Sequence, residues 1–282
     1  MIFSYSQPKI LLLYHRIPYG IKNGIATLYG FYHQATCFGR TFREQLAEFQ
    51  NHRFWSQEKL IEDQVQRLQS LCLYAGMHVP YYRELFKSIG FDPKGLRSVE
   101  DLQQLPILDK ETVREKRDFL LSQKKVGKII STHTSGTTGK ALHLKLSREA
   151  NQRSYACVWF HYSWIGIQRG HRIATLAGHP VTPPENLKPP FWVYNRAKHE
   201  LIFSSQHLTP STLPHYGEVL SRFRPALVRG YPSSIYLVAL YLLETGRTDI
   251  RPKAVFTSSE TLLDFQRVAI EKAFGCLSLI HI

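Results

Sequence analysis

Hydrophobic residues recur with the period of an α-helix from Leu60 to Ala75, at the start of a region, 56–125, that is predicted to be helical. Ser56 is a predicted N-cap, and Trp55 and Leu60 have the spacing of a hydrophobic staple. The apolar stripe of this helix is Leu60, Ile61, Val65, Leu68, Leu71, Cys72 and Ala75. The pattern predicts a long helix that begins after Ser56 and buries one face.

Three shorter helices are predicted after this one. The segment "HVPYYRELF" indicates a helix that is started by its proline and ends near Gly90. Ser98 and Asp101 resemble a capping box for a short helix, and Asp109 is the predicted cap of the next one. We therefore expect residues 56–125 to form a region of successive helices.

After the helical region the pattern changes to strands. Ile129 and Ile130 precede a loop, and alternating apolar and polar residues at 142–146 follow it. Ser147 is the predicted cap of a helix that runs to about Trp164. Further strands are predicted at 172–178, 226–229 and 254–257, and helices at 213–223, 233–244 and 262–274. This alternation predicts an α/β fold with mostly parallel sheets and flanking helices.

The chain divides into four regions by pattern. Residues 1–55 are aromatic and basic but weakly periodic, and no elements are assigned to them. The helical region 56–125 is followed by an α/β region at 126–276, in which 180–197 is expected to be irregular. Residues 277–282 do not continue the pattern and are interpreted as a non-native tail.

Composition and charge narrow the classes of function. The net charge of +14 would suit nucleic acid or an anionic membrane surface. The basic residues are scattered, however, and no nucleic-acid-binding signature accompanies them, so no specific nucleic-acid partner is expected. The four cysteines form no C-x-x-C pair and the thirteen histidines show no metal-ligand spacing, so no metal site is predicted in this chain.

The longest apolar runs are too short to span a bilayer, and the first residues lack the order of a secretory signal. A reducing cytoplasm fits the cysteine usage best. Peripheral association with a membrane stays open because of the basic charge.

The segment "TSGTTGK", 134–140, has the composition of a phosphate-binding loop. Consecutive small residues let backbone N–H groups converge on an anion, while the hydroxyls and Lys140 add donors and charge. It is not a nucleoside-triphosphatase P-loop, because Thr134 stands at the first glycine position and Ala141 follows the lysine. The other alternative is a hairpin turn without chemistry.

A family resemblance rests on this loop and its surroundings. "STHTSGTTGKAL" resembles the phosphate-binding signature of the adenylate-forming enzymes, the acyl-CoA synthetase superfamily. More narrowly, the chain resembles the phenylacetate–CoA ligase-like group, including CapK-type proteins encoded with surface-polysaccharide genes. The segments that carry the narrower resemblance are 71–86, 98–115, 204–208, 229–242 and 256–275. Ala141 departs from the family, in which many relatives have proline there.

The resemblance implies the amino-terminal portion of the large domain of an ATP-dependent, carboxylate-activating ligase, with 126–276 as an incomplete nucleotide-binding region. Such enzymes form an acyl-adenylate from a small carboxylic acid and ATP, then transfer the acyl group to coenzyme A or another acceptor. The residues implied to hold the β- and γ-phosphates are Thr134, Ser135, Gly136, Thr137, Thr138, Gly139 and Lys140, with Lys140 and Thr137 as candidate catalytic residues.

The resemblance also implies an adenine or acyl side made by Tyr231, Ser258, Ser259 and Glu260. These residues follow predicted strands, where ligands of open α/β sheets bind. For Glu260 an alternative stays open: a carboxylate near the start of the last helix, favoured there by the helix dipole.

The family's later motifs do not follow Gly275. They include the glutamate that holds Mg²⁺, the aspartate that binds the ribose and the mobile carboxy-terminal domain with its catalytic lysine. We therefore expect the chain to be an amino-terminal fragment that is inactive alone. The alternative function is a non-catalytic nucleotide-binding or assembly protein linked to capsular polysaccharide synthesis.

Overall fold

The computed structural model describes residues 8–125, 127–133 and 142–280. These residues form two compact units. One unit contains the described residues up to Phe38 and those from Val158 onward, and the other contains Gly39–Cys157. The four regions drawn from the sequence stay predictions, since the two units follow contacts between residues far apart in the chain.

The helices are α1 (Pro8–Arg16), α2 (Tyr19–Cys37), α3 (Arg40–His52), α4 (Gln57–His78), α5 (Pro80–Ile89), α6 (Lys110–Glu115), α7 (Arg148–Trp164), α8 (Leu213–Phe223), α9 (Pro232–Glu244) and α10 (Asp264–Phe274). Short 3-10 helices cover Pro93–Gly95, Glu100–Gln104 and Arg196–Lys198. The strands are β1 (Ile129–His133), β2 (His143–Ser147), β3 (Ile173–Ala177), β4 (Trp192–Asn195), β5 (Glu200–Ser204), β6 (Leu227–Gly230), β7 (Ala254–Thr257) and β8 (Ser278–Ile280).

In the unit Gly39–Cys157, helices start and end at the residues predicted from sequence. The Oγ of Ser56 accepts the Lys59 N–H at 3.3 Å at the start of α4, and Asp109 accepts the Thr112 N–H at 2.8 Å at the start of α6. Helix α5 ends at Gly90, whose φ of 67° is left-handed. The helix predicted after Ser98 is a 3-10 helix.

The core of these helices is smaller than the predicted stripe on α4. Its buried members are Cys72, Phe86, Phe91 and Leu96. Leu71, predicted in the stripe, is 63% exposed. A residue with helical spacing is thus buried only where a neighbouring element covers it.

Strands β1 and β2 pair antiparallel, from Ile129 opposite Ser147 to His133 opposite His143. The Oγ of Ser147 accepts the Ala150 N–H at 3.0 Å and starts α7. The two strands predicted on either side of residues 134–141 are therefore confirmed.

The unit that contains Val158 onward is built on a six-stranded sheet in the order β4-β5-β3-β6-β7-β8. Strands β5, β3, β6, β7 and β8 are parallel, and β4 is antiparallel to β5. The predicted α/β class is confirmed. Strand β4 lies in the region expected to be irregular, β5 was not predicted, and β8 pairs with β7 within residues interpreted as a non-native tail.

Helices α8, α9 and α10 supply the core of this sheet. Helix α9 buries Ile235, Val238, Ala239 and Leu242, and its apolar sequence reflects this burial. No described helix is long and apolar enough to cross a membrane.

The weakly periodic amino-terminal segment is helical, and α2 packs on β4. The Asn23 Oδ1 accepts the Tyr194 N–H at 2.9 Å, and the Thr27 Oγ1 accepts the Arg196 N–H at 3.1 Å. Gly30 lies against the Asn195 side chain, with no room for a Cβ. Small and polar residues make this contact, whereas Ile21, Leu28 and Tyr32 of the same helix are exposed. The face that packs on the sheet therefore could not be identified from an apolar pattern.

Candidate functional site at the carboxyl ends of the strands

Tyr231 directly follows the last residue of β6 and contacts the neighbouring strand β3. Its N–H donates to the Leu176 carbonyl at 2.9 Å. Gly230, the last residue of β6, has a φ of 149°, and a Cβ there would overlap the Leu176 carbonyl oxygen. A Cβ on Gly178 would lie 3.1 Å from the Tyr231 Oη, so the tyrosine lies over the end of β3. Two glycines therefore fix the position of this side chain.

Ser258 and Ser259 lie at the end of the neighbouring strand, β7. The Ser258 N–H donates to the Gly230 carbonyl at 3.0 Å, which holds the two strand ends together. Ser259 has a φ of 70°, a left-handed conformation that non-glycine residues rarely adopt. Ser258 and Ser259 thus begin the connection from β7 to Glu260.

Glu260 caps a helix. Its two carboxylate oxygens accept hydrogen bonds from the N–H and the Oγ of Ser233, each at 3.1 Å. Ser233 is in the first turn of α9, where a carboxylate is favoured by the helix dipole and by unpaired N–H groups. The alternative considered from sequence, a helix-start carboxylate, thus applies to α9 and not to α10.

Replacing Glu260 with alanine is expected to destabilise this unit by about 1 kcal/mol, because α9 loses both cap hydrogen bonds. Urea unfolding measures the change. Glu244→Ala is the matched control, since Glu244 is exposed at the other end of α9 and its loss should cost less than ~0.5 kcal/mol. Equal losses for the two variants would contradict the cap.

A polar network joins residues of β3, β5, β6 and α7, and it was not predicted from the sequence. The Arg229 guanidinium donates to the Glu200 carboxylate, to the Thr175 Oγ1 at 3.0 Å and to the Tyr162 Oη at 3.2 Å. The Thr175 hydroxyl also donates to Glu200, at 2.7 Å. An arginine inside the apolar strand "LVRG" was the available signal, because such a residue needs a counter-charge.

The charges in this network shift pKa values. Burial alone would raise the pKa of Glu200, but the positive charges of Arg229 and Lys198 outweigh it and lower that pKa to about 2. Burial lowers the pKa of His179 to about 4. Glu200 is therefore ionised and His179 neutral near pH 7, and the Arg229–Glu200 pair links β6 to β5 across Thr175 of β3.

The structure brings Tyr231, Ser258, Ser259 and Glu260 to the ends of adjacent strands. The predicted phosphate-binding residues 134–140, including the candidate catalytic Thr137 and Lys140, lie outside the described residues. Within the described part of the chain, no group of three or more His, Cys, Asp or Glu side chains could hold a metal ion.

Similar proteins place the chain in a class. No protein-family model matches it. It is 30% identical over 218 residues to Protein CapK of Staphylococcus aureus, an alignment that covers 77% of this chain and 48% of CapK. It is 40% identical over 84 residues to phenylacetate-coenzyme A ligase of Thermus thermophilus, covering 29% of this chain and 19% of that ligase.

Solved structures share the fold. An open conformation of 2-hydroxyisobutyryl-CoA ligase in complex with 2-HIB-AMP and CoA has a TM-score of 0.53 and 21% identity, covering 77% of this chain and 51% of the ligase. The same ligase in the thioesterification state has a TM-score of 0.54 and 20% identity, covering 80% of this chain and 48% of the ligase.

The fold and the sequence similarity together define the class, the adenylate-forming ligases, and the chain belongs to that family. Within the family it is similar to CapK and to phenylacetate-coenzyme A ligase. The chain spans about half of the length of CapK and of the 2-hydroxyisobutyryl-CoA ligase structures.

Proposed function

We propose that the chain carries part of the ATP site of a ligase that activates a small carboxylic acid. The observation that carries this proposal is the loop "TSGTTGK" in a chain that belongs to the adenylate-forming family. In the proposed reaction, a carboxylate oxygen attacks the α-phosphorus of ATP, the bond to the β-phosphate oxygen breaks, and pyrophosphate leaves. The acyl group then passes from the acyl-adenylate to coenzyme A or another acceptor.

The loop has the chemistry that the phosphates need. Lys140 supplies a positive charge, and Thr137 and its neighbours supply hydroxyl and backbone donors. Negative charge shifts onto the leaving pyrophosphate during the attack, so donors placed around it lower the barrier without a protein nucleophile. Mg²⁺ would add charge when bound, and this chain's role is to position the phosphates.

The strand ends are proposed to form the adenine or acyl side. Tyr231 offers an aromatic ring, half-buried and held by two glycines, against which a planar group can stack. Ser258 and Ser259 offer hydroxyls beside it. Glu260 caps α9, so its proposed contribution is to hold Ser233 and the first turn of α9 in position beside the ligand. The carboxyl edge of a mainly parallel sheet is the common place for a ligand in such folds.

The second candidate is a non-catalytic nucleotide-binding or assembly protein that serves capsular polysaccharide synthesis. The longer similarity, over 77% of the chain, is to Protein CapK, whereas the match to the named ligase covers 29%. The two candidates differ in whether the site accepts an acyl group. A stable sulfamate analogue of benzoyl-adenylate should bind more tightly than adenosine 5′-sulfamate if the protein is a ligase, and equally if it binds only nucleotides.

Lys140→Ala is expected to weaken ATP binding by at least ~10-fold, because a charge-assisted contact to phosphate contributes about 1.5–3 kcal/mol. Isothermal titration of the purified chain with ATP measures the change. Lys145→Ala is the matched control, since Lys145 is exposed on β2 after the same loop and should leave the affinity unchanged. ATP affinities that do not differ among the three proteins would overturn the assignment of the loop.

A further inference from the structure

Helix α2 exposes a stripe of large apolar side chains. Its members are Ile21, Leu28, Phe31 and Tyr32, each between 56% and 72% exposed. Spacings of three, four and seven residues place them on one face of the helix, over a length of about 16 Å. The buried residues of α2 lie on the other face and are Lys22, Ala26, Gly30 and Cys37. The stripe therefore points away from the sheet, and a contiguous exposed apolar surface of this kind marks an interaction site.

Helix α1 adds further exposed apolar residues. Leu12 and Leu13 are both about two-thirds exposed, at 65% and 67%. The neighbouring Tyr14 is buried, and its ring lies 5.1 Å from the Nζ of Lys22, which joins α1 to α2. Two consecutive helices thus present large apolar side chains outwards. We refer to the exposed residues Leu12, Leu13, Ile21, Leu28, Phe31 and Tyr32 as the amino-terminal apolar surface.

The segment that carries this surface contains no acidic residue. The first carboxylate side chain of the sequence is that of Glu44, and the residues before it include five basic ones: Lys9, Arg16, Lys22, Arg40 and Arg43. Arg16 is exposed and precedes α2. The exposed Arg169 reaches the carboxyl end of α2, where its guanidinium lies 4.3 Å from the Phe38 ring. Positive charge is therefore present near both ends of α2.

The combination of charge and apolar surface distinguishes between possible partners. A second copy of the chain would bring the same positive charges to the contact, which disfavours pairing of two such surfaces. Basic residues around an apolar, aromatic stripe are typical of a helix that lies in the plane of a membrane interface. Tyrosine suits this position, because its ring is apolar and its hydroxyl reaches the head groups. A bilayer that contains anionic lipid supplies both an apolar interior and a negative surface.

We propose that the amino-terminal apolar surface binds the face of a membrane that contains anionic phospholipid. Leu28 and Phe31 insert below the head groups with α2 parallel to the membrane plane, and Arg16 and Arg169 lie near the phosphates. The binding is peripheral and does not depend on the proposed ATP site. It gives a function to residues that the sequence pattern left unassigned.

Sedimentation of the full chain with phospholipid vesicles tests the proposal. We expect wild type to bind phosphatidylcholine vesicles with roughly one part in four of phosphatidylglycerol at least ~10-fold more strongly than pure phosphatidylcholine, and less strongly as the salt concentration rises. Leu28→Gln combined with Phe31→Gln should lower binding to the anionic vesicles at least ~10-fold, because two inserted side chains are lost. Both positions are exposed, so the fold should be retained, and circular dichroism checks this.

Phe265→Gln combined with Val268→Gln is the matched control. These residues of α10 are also three positions apart and similarly exposed. Helix α10 belongs to the core that contains Leu201 and Phe203, whereas Ala26 of α2 packs with Ile202, so the two helices lie on opposite faces of the sheet. The control variant should bind anionic vesicles as wild type does. Lys140→Ala should do so too, which separates this surface from the ATP loop.

Arg16→Gln combined with Arg169→Gln tests the charge and should reduce the preference for anionic vesicles several-fold. Failure of wild type to bind anionic vesicles would overturn the proposal, and so would equal binding by wild type and the Leu28→Gln, Phe31→Gln variant. Equal losses for the α2 and α10 variants would overturn it as well. A dimer that forms without lipid and is abolished by the α2 variant would show that a second copy covers this surface instead.

Discussion

Replacing Glu200 with glutamine is expected to destabilise the fold by about 3 kcal/mol. The change leaves the Arg229 guanidinium without its counter-charge among buried strands, and loss of one partner of a buried pair costs roughly 3–5 kcal/mol. We expect the lower end of this range because the Arg229 side chain is still 32% exposed, whereas the Glu200 side chain is only 5% exposed. Urea unfolding followed by circular dichroism measures the difference.

Glu218→Gln is the matched control for this experiment. Glu218 pairs with Arg222 at 2.7 Å, but both side chains are mostly exposed, so removing the pair should cost less than ~1 kcal/mol. Similar losses for Glu200→Gln and Glu218→Gln would show that the network does not stabilise the sheet.

The same network predicts a dependence of stability on pH. The pKa of Glu200 is lowered in the folded state from 4.5 to about 2. A lowered carboxyl pKa contributes stability above the unfolded value and loses it as the pH falls through the folded value. Wild type should therefore lose more stability than Glu200→Gln between about pH 5 and pH 2. If the stability of wild type and of Glu200→Gln fell equally between these pH values, Glu200 would not be the ionised partner of Arg229.

Replacing Gly230 with alanine is expected to destabilise the fold by about 3 kcal/mol or more, or to prevent folding. The φ of 149° is open to glycine and strained for other residues. The added Cβ would also overlap the Leu176 carbonyl oxygen, which belongs to rigid backbone. Strand β6 would have to separate from β3, and the Tyr231 N–H would lose its acceptor.

Gly246→Ala separates the two causes. Gly246 also has a left-handed φ, 65°, but an added Cβ would meet no atom within 4 Å. Its replacement should lower the free energy of unfolding by only about 1 kcal/mol, because only the left-handed backbone conformation is unfavourable for alanine. Thermal unfolding of both variants measures the difference, and equal losses would show that the contact with Leu176 is not restrictive.

Local signals predicted much of the fold. The starts of α4 and α6 at Ser56 and Asp109 follow from side chains that accept N–H groups three residues later. The ends of α5 and α10 follow from Gly90 and Gly275, both left-handed. These features involve neighbours in the chain, so the sequence contains all of the interacting groups.

The elements that sequence reasoning missed depend on distant partners. The face of helix α2 that packs on the sheet is small and polar: Asn23 and Gly30 contact β4, and Thr27 contacts Arg196 just after it. These partners are more than 160 residues away in the chain. Strand β4 is short and lies in a proline-rich stretch, and its pairing with β5 makes it a strand. Composition alone does not encode such a pairing.

The sequence by itself determined the α/β class, the family resemblance and the positions of Tyr231, Ser258, Ser259 and Glu260 after strands, because these depend on local pattern. Only the tertiary structure decided that Glu260 caps α9, that Arg229 and Glu200 form an ion pair on the sheet, and that the buried Lys22 donates to the carbonyl of Val181. Each of these facts concerns groups far apart in sequence. Their interaction free energies arise from burial and close approach, which exist only once the sheet has formed.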